Sequence, residues 1–340
     1  RFRSAVNKTK LFLHIGHGKT GTSAIQSSLA IASEKLAALG IEYPINAKLR
    51  DRASQLEITS GNWKAKSETS LTEQLLEITR NNKNNSTIIL SSESLFWLIP
   101  DLLSRKSDWG DFIDLHIIMA VREVEEMLSS EYQQLVKRHG NSMLLWQFIR
   151  TRNFVSSHHA KAAEIIDLMS QYKTSNTIIN YSKHRKDISR LVFKLIGAEE
   201  AYPEDKMAGA VINRSLSRKE LDFLIMINKL YHKEFPSIST TISDALIKRQ
   251  PNLEAGQCRI SEKQLEKIYK KNEAALQKIN ACLDSNEQLS THSIPNKQPK
   301  EDTHSSAEQI RRMREEELLS VKVIGDTLLE VLTTKPKQTI

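Results

Sequence analysis

The chain has 340 residues and a formal net charge of +8, with 39% hydrophobic and 26% charged residues. This composition is ordinary for a soluble protein, and the length is enough for one large domain with an appendage. No apolar run approaches the ~20 residues of a membrane-spanning helix. The two cysteines, Cys258 and Cys282, form neither a zinc-binding spacing nor a disulfide framework, so we expect a cytoplasmic protein.

The excess of basic residues favours anionic partners. Nucleic acid would fit the charge, but the sequence has no recognition motif for it and no interleaving of basic and aromatic residues. We therefore expect an anionic small molecule or substrate and no nucleic acid.

An apolar run from Leu11 breaks at a glycine-rich loop, defined here as residues 16–23, with the sequence GHGKTGTS. A helical pattern begins directly after it. A strand, a tight loop and a helix N-terminus in this order form an anion cradle, because backbone N–H groups converge and the helix dipole adds a partial positive charge. Lys19 adds a full positive charge. The loop therefore predicts a site for a phosphorylated nucleotide.

The spacing of the loop differs from that of a Walker A motif. That motif needs a glycine five positions before its Gly-Lys pair, and Leu13 occupies this position. The sequence thus predicts a phosphate-binding loop of another class.

Apolar segments separated by long helical patterns predict the secondary structure. Strands are expected near residues 10–15, 87–91, 114–121 and 176–181. This alternation predicts an α/β fold with a P-loop-type, mainly parallel sheet flanked by helices. Capping-box spacings predict helix starts at Ser70, Ser217, Ser261 and Ser306.

The last third of the chain is predicted to be helical, without strands from about residue 217. We predict a P-loop α/β domain over 1–255 and a helical extension over 256–283. Residues 284–306 are polar, contain prolines and have few large apolar residues, which predicts a flexible linker. Residues 307–340 follow helical spacing and predict an amphipathic helix that docks on the core or joins two copies in a homodimer.

A second motif follows the strand predicted over 114–121. Arg122 comes directly after this strand, and Ser130 follows eight residues later in a helical pattern. A guanidinium suits a dianionic phosphate because it can donate two parallel hydrogen bonds.

The two motifs resemble those of sulfotransferases that use 3′-phosphoadenosine 5′-phosphosulfate (PAPS). The 5′-phosphosulfate loop of that family commonly reads Pro-Lys-Thr-Gly-Thr-Thr. Here Gly18 stands in place of the proline, and Ser23 keeps the hydroxyl of the second threonine. The family binds the 3′-phosphate with an arginine at a strand end and a serine eight residues later. The Asp-Pro that often follows the arginine is replaced by Glu123-Val124.

Three further segments are similar to those of bacterial members of the family, so that the resemblance covers roughly residues 10–235. They are 87–93, 176–181 and 211–217. The resemblance implies a set of cofactor-binding residues, which are Gly18, Lys19, Thr20, Gly21, Thr22, Ser23, Arg122, Ser130 and Arg214.

The resemblance also implies the chemistry. A sulfuryl group would pass in line from PAPS to a hydroxyl or amine, leaving adenosine 3′,5′-bisphosphate (PAP). The sulfuryl group carries one fewer negative charge than a terminal phosphoryl group, so no metal is expected. Lys19 would neutralise the bridging oxygen. Glu93 or His17 would be the general base; Glu93 could instead cap the next helix, and His17 could instead contact phosphate or face solvent.

The sequence leaves the acceptor and two rival functions open. An anionic glycan or glycolipid would suit the basic charge of the chain. Trp97, Trp109 and Trp146 are candidates for lining the acceptor pocket, with core packing as the alternative. A P-loop nucleotide-dependent phosphotransferase is the first rival, and a non-catalytic nucleotide-binding protein is the second.

Overall fold

The structure is a computed structural model that describes two compact units. The described residues are 8–16, 18–55, 61–64, 69–82, 87–151, 157–208, 214–253, 256, 258, 260–292, 323–324 and 326–327. The first unit comprises Arg1–Val124, Val155–Ile212 and Lys270–Thr291. The second unit comprises Glu125–Phe154, Asn213–Tyr269 and His292–Ile340.

The first unit is built on a parallel sheet of five strands. In chain order these are β1 (Thr9–His14), β2 (Ile41–Glu42), β3 (Thr87–Ser91), β4 (Ile113–Val121) and β5 (Ser175–Asn180). They lie side by side in the order β2-β3-β1-β4-β5, and each neighbouring pair is parallel. All four predicted strands are confirmed. The two-residue strand β2 was not predicted, because it is too short to show a period.

Helices account for most of the remaining described residues. In chain order they are α1 (Thr22–Ile31), α2 (Ser33–Ala38), α3 (Ala47–Ser54), α4 (Leu71–Asn81), α5 (Leu95–Ser104), α6 (Lys106–Trp109), α7 (Val124–His139), α8 (Leu145–Thr151), α9 (Ser157–Gln171), α10 (Ile188–Leu195), α11 (Glu204–Met207), α12 (Arg218–Tyr231), α13 (Ile238–Arg249) and α14 (Glu262–Asn280). A 3₁₀ turn spans Glu199–Ala201. The predicted α/β fold with a parallel sheet, flanking helices and a helical C-terminal extension is confirmed.

Local sequence signals explain several helix starts. Ser70 and Ser217 each form a complete capping box, with Glu73 and Glu220 respectively, at the start of α4 and α12. Helix α14 begins directly after Ser261, as predicted. Ser306 lies outside the described residues.

The inner strands are apolar on both faces because helices cover both faces of a parallel sheet. On one face Phe12 and Ile89 pack in a buried cluster with Ile25 and Leu29 of α1 and with Phe193 of α10. The alternate residues of β1, Leu11 and Leu13, are also fully buried. Because both faces of the sheet are covered, the edge formed by the carboxyl ends of its strands is left as the place for a site.

The strand order places a topological switch beside β1. The connection after β1 leads to β2, at one end of the strand order, and the connection after β4 leads to β5, at the other end. Two adjacent strands whose connections diverge open a crevice at their carboxyl ends, and ligands of open α/β sheets bind there. The glycine-rich loop and Arg122 follow these two strands.

The two units interleave along the chain, so the predicted succession of a 1–255 domain and later extensions does not describe them. Two of the divisions fall inside continuous helices, one just after the first residue of α7 and one within α14. The predicted linker is also wrong over its first part, because residues 284–292 are ordered: Leu289 is buried, and its N–H and C=O both bond to Asn280. Residues 293–306 lie outside the described residues.

Four described residues of the C-terminal segment pack within the second unit. Arg249 of α13 donates to the carbonyls of Val323 and Asp326, each at 3.4 Å, and Thr327 is fully buried. These contacts support docking of this segment on its own chain. The rest of the predicted 307–340 helix lies outside the described residues.

Candidate functional site

The glycine-rich loop connects β1 to α1 through two left-handed residues. Lys19 and Gly21 both have a φ of 77°, and Gly21 is the N-cap of α1. A Cβ on Gly21 would lie 2.7 Å from Cε2 of Tyr181, so no larger residue fits there. The backbone of Lys19 thus has a left-handed conformation, which glycine adopts more easily than lysine does. Strain of this kind is typical of functional sites.

The N-terminus of α1 is open to an anion. Gly21 provides no side-chain cap, and the first turn holds no acidic residue. Helix N-termini of this kind keep backbone N–H groups for a ligand, and the dipole favours negative charge. Thr22 and Ser23 are the first two residues of α1. Thr20 and Thr22 are buried, while Gly18, Lys19 and Ser23 are half-buried.

Arg122 lies against the loop, as the sequence predicts for residues that follow adjacent strands. Its Nη1 donates to the carbonyl of Lys19 at 2.8 Å, and its guanidinium lies 5.3 Å from the ring centroid of Tyr181. The carbonyl of Arg122 accepts a hydrogen bond of 2.7 Å from Nε2 of the buried His159. The guanidinium and the glycine-rich loop therefore occupy one edge of the sheet.

Glu93 lies in the turn after β3, and its carboxylate contacts the loop. Oε1 accepts a hydrogen bond of 2.5 Å from Oγ1 of Thr22. Oε2 lies 3.4 Å from the position that a Cβ on Gly18 would take. The carboxylate does not cap α5, whose N-cap is Ser94 and has no side-chain cap. The contacts of Glu93 therefore favour a role at the loop over the capping alternative.

Two predicted cofactor-binding residues belong to the second unit. Ser130 is half-buried on α7. Arg214 is buried, and Glu220 accepts two hydrogen bonds from its Nη1 and Nη2 at 2.8 and 2.7 Å. Its Nε also donates to the carbonyl of Gln250 at 2.6 Å. These contacts give Arg214 a structural function within the second unit. His17 lies outside the described residues.

His14, the last residue of β1, is a polar group that the sequence analysis did not single out. It is buried beneath the loop, and its Nδ1 lies 2.7 Å from Oγ of Ser91 on β3. Burial lowers the pKa of His14 to about 4, so the ring is neutral near pH 7. Its Nε2 has no hydrogen-bond partner and lies 3.0 Å from the position of a Cβ on Gly16. A histidine within an otherwise apolar strand was the signal that could have found it.

Residues after α14 lie across the carboxyl ends of β4 and β5. The carboxylate of Glu123 accepts hydrogen bonds from the N–H of Ser290 at 3.1 and 3.3 Å. Asn180 donates to the carbonyl of Glu287 at 2.9 Å. The start of the predicted linker therefore borders the crevice beside Arg122.

The described residues hold no group of three or more His, Cys, Asp or Glu side chains that could bind a metal ion. None of their helices is both long and apolar enough to cross a membrane.

No protein-family model matches this chain, and no curated protein matches it. Among solved structures, the crystal structure of retinol dehydratase in complex with androsterone and the inactive cofactor PAP is similar to it. The identity is 10% and the TM-score 0.34, over 79% of this chain and 81% of that chain. A likeness at this level carries no argument about this chain, whose fold class rests on its own sheet topology.

Proposed function

We propose that this protein is a PAPS-dependent sulfotransferase of bacterial type. The observation that carries the proposal is the hydrogen bond between Arg122 Nη1 and the carbonyl of Lys19. It supports two anion-binding groups at one crevice, a loop for the 5′-phosphosulfate and a guanidinium for the 3′-phosphate. PAPS carries anionic groups at both positions, and ATP lacks the 3′-phosphate.

The residues of the loop fit a phosphosulfate by charge and by space. The backbone N–H groups at the start of α1, those of Thr22 and Ser23 among them, would hold the 5′-phosphate together with the hydroxyl of Ser23, while the Thr22 hydroxyl donates its one proton to Glu93. Gly16 and Gly21 suit the close approach of backbone that such a cradle needs, because a Cβ at either position would lie within 3 Å of a neighbouring atom. Lys19 would neutralise the oxygen that bridges phosphorus and sulfur.

In the proposed reaction the S–O bond to the 5′-phosphate breaks as a new S–O bond forms to the acceptor oxygen. The proton of the acceptor hydroxyl passes to Glu93, and the displaced phosphate becomes part of PAP. Thr22 holds one carboxylate oxygen at 2.5 Å, which fixes the orientation of the base. Catalysis then rests on positioning and on charge stabilisation by Lys19. His17 stays the alternative base.

The sequence pattern adds two further elements to the proposal. Ser130 stays a predicted second ligand of the 3′-phosphate. The acceptor is proposed to be a hydroxyl compound, and the net charge of +8 favours an anionic glycan or glycolipid. Arg214 is left out of the cofactor set, because Glu220 and main-chain carbonyls already bind its guanidinium.

One observation favours a second candidate, a magnesium-dependent phosphotransferase. P-loop nucleotide hydrolases hold Mg²⁺ with a loop hydroxyl and a strand-end acid, and Thr22 and Glu93 form a similar pair. The missing Walker spacing at Leu13 weighs against this candidate.

Thermal unfolding separates the candidates. We expect PAP to raise the melting temperature of the protein strongly and Mg-ATP to raise it little; the reverse result would favour the phosphotransferase. Transfer of ³⁵S from labelled PAPS to a panel of hydroxyl compounds then tests catalysis. Binding of PAP without transfer to any acceptor would favour the non-catalytic nucleotide-binding protein.

A further inference from the structure

The structure distinguishes the three tryptophans that the sequence left as candidates for the acceptor pocket. Trp109 is buried, and its Nε1 donates to the carbonyl of Leu102 at 2.8 Å, so it is a core residue. Trp146 is 51% exposed on α8 of the second unit. Trp97 is 50% exposed on α5 of the first unit, the unit that holds the glycine-rich loop.

Trp97 lies one turn from Glu93. The N–H of Phe96 donates to the carbonyl of Glu93, and the N–H of Trp97 donates to that of Ser94, each at 3.3 Å. Residues three and four positions apart in such a turn are neighbours, with about 5–6 Å between their Cβ atoms. Trp97 therefore begins one turn after Glu93, the residue whose carboxylate contacts Thr22 of the loop.

Neighbouring rings fix the indole in place. Phe96 meets Trp97 edge-on at 5.3 Å between centroids, and His158 of α9 meets it edge-on at 5.7 Å. Phe96 and His158 are themselves stacked, at 6.3 Å and 27°. A ring that is already ordered loses little conformational freedom when a ligand packs on it. Trp97 as a whole nevertheless stays half exposed to solvent, which is costly for so large an apolar residue.

We propose that Trp97 is the acceptor-binding platform of this site, and that the acceptor carries its reacting hydroxyl on a six-membered ring with an apolar face. This inference rests on the proposed function. An indole face binds the C–H face of a sugar ring or the flat face of an aryl ring, and it offers much less contact to a linear chain. Stacking on Trp97 holds the ring hydroxyl beside Glu93, its proton acceptor. Trp97 thus determines which alcohols react and leaves the PAPS-binding residues unaffected.

The test is calorimetric binding of alcohols to the protein saturated with PAP, which forms a complex that cannot react. The probes are methyl β-D-glucopyranoside, 2-naphthol and 1-hexanol, which represent a sugar ring, an aryl ring and no ring. We expect a ring alcohol to bind more tightly than 1-hexanol. Trp97→Ala should weaken its binding at least about ten-fold, and Trp97→Phe should restore most of it. The ring probe that binds more tightly shows whether the acceptor ring is a sugar ring or an aryl ring.

Phe112 provides the matched control. It is 48% exposed in the same unit, but it directly precedes β4 and so lies at the amino edge of the sheet. Phe112→Ala should leave the affinity for every alcohol unchanged. In the transfer assay, Trp97→Ala should raise KM for the ring acceptor while kcat and the affinity for PAP change little, a split that a loss of folding would not produce.

The inference and the proposed function fail in different ways. If PAP binds and Trp97→Ala binds ring alcohols as well as the wild type, the platform is refuted and the sulfotransferase proposal stands. Equal affinity for 1-hexanol and the ring alcohols would also refute the platform. If PAP does not bind, the proposed function fails. The same titrations without PAP then decide the platform alone, through the presence or absence of a ring preference that Trp97→Ala removes.

Discussion

The hydroxyl of Thr22 donates a hydrogen bond of 2.5 Å to Oε1 of Glu93 and so links the first turn of α1 to the turn after β3. This bond occupies one oxygen of the carboxylate. The other oxygen, Oε2, lies near Gly18 of the glycine-rich loop. A carboxylate held in this way is oriented before a substrate arrives, as a general base should be.

Glu93→Gln should lower the transfer rate by roughly 10²–10⁴-fold, because the amide accepts the Thr22 hydrogen bond but cannot take a proton. The melting temperature and the affinity for PAP should stay close to those of the wild type. The decrease in rate toward low pH should also disappear from the pH–rate profile. If Glu93→Gln is active while His17→Ala is inactive, the assignment of Glu93 as base is wrong.

Lys19 combines charge with backbone strain, so two substitutions separate its roles. Lys19→Ala and Lys19→Gly should each lower the transfer rate on the order of 10²-fold or more, because each removes the charge that stabilises the leaving oxygen. The φ of 77° is tolerated better by glycine. Lys19→Gly should therefore be more stable than Lys19→Ala by about 1 kcal/mol in urea unfolding. Near wild-type transfer by either variant would contradict the role of the lysine.

Arg122 should recognise the 3′-phosphate, which a comparison of PAP with adenosine 5′-monophosphate can test. Arg122→Ala also removes the hydrogen bond to the Lys19 carbonyl, so some loss is expected for both ligands. The loss for PAP should be greater by about ten-fold or more, because hydrogen bonds to charged groups are worth ~1.5–3 kcal/mol. Arg122→Lys should recover only part of it, since lysine lacks the planar fork. Equal losses would mean that Arg122 only supports the loop.

His14 predicts a specific acid sensitivity. The folded protein keeps the ring neutral down to a pKa of about 4, whereas the unfolded chain protonates it near pH 6.5. The unfolded state therefore binds more protons between these values, and the free energy of unfolding should fall by up to about 3 kcal/mol as the pH falls through this window. The dependence should be flatter in His14→Gln, as measured by urea unfolding at several pH values.

His116 is the control for this measurement. It is half-buried on β4, and desolvation and the charge of Lys10 also lower its pKa. His116→Gln should flatten the curve less than His14→Gln, because solvent screens a half-exposed ring. A His14→Gln curve that is parallel to the wild type would show that the ring has the same pKa in the folded and unfolded states, which would contradict the effect of burial.

Much of the fold follows from local signals. Strands β1, β3, β4 and β5 are apolar runs because both faces of the sheet are covered, and the capping boxes at Ser70 and Ser217 mark two helix starts. Residues 284–292 were predicted wrongly because they are ordered by contacts with distant residues and not by a local sequence signal. Their order depends on one buried leucine and on bonds to Asn280 and Glu123, which are distant partners that composition does not report.

The candidate site also combines features that local sequence predicts with contacts that only the folded chain creates. The glycine-rich loop is contiguous, and Arg122 follows the strand next to it, so both could be found from spacing alone. The Thr22–Glu93 bond joins residues that follow two different strands. The sequence predicts that both lie at the carboxyl edge of the sheet, but it does not predict the hydrogen bond between them. The partners of Arg214 come from α12 and from the segment after α13, and only the folded chain brings them together.

Arg214 and Glu220 form a buried ion pair whose disruption separates structure from cofactor binding. Their side chains are 5% and 4% exposed, and removing one partner of such a pair typically costs about 3–5 kcal/mol. Arg214→Met should therefore destabilise the second unit strongly. Combining it with Glu220→Gln should recover part of the loss, because glutamine retains the capping box with Ser217 and leaves no unpaired charge. Guanidinium unfolding measures both effects.

The affinity of the folded protein for PAP, measured well below the melting temperature, should be unchanged in the Arg214→Met, Glu220→Gln double variant. A selective loss of PAP affinity there, without loss for adenosine 5′-monophosphate, would instead return Arg214 to the cofactor-binding set that the sequence implied.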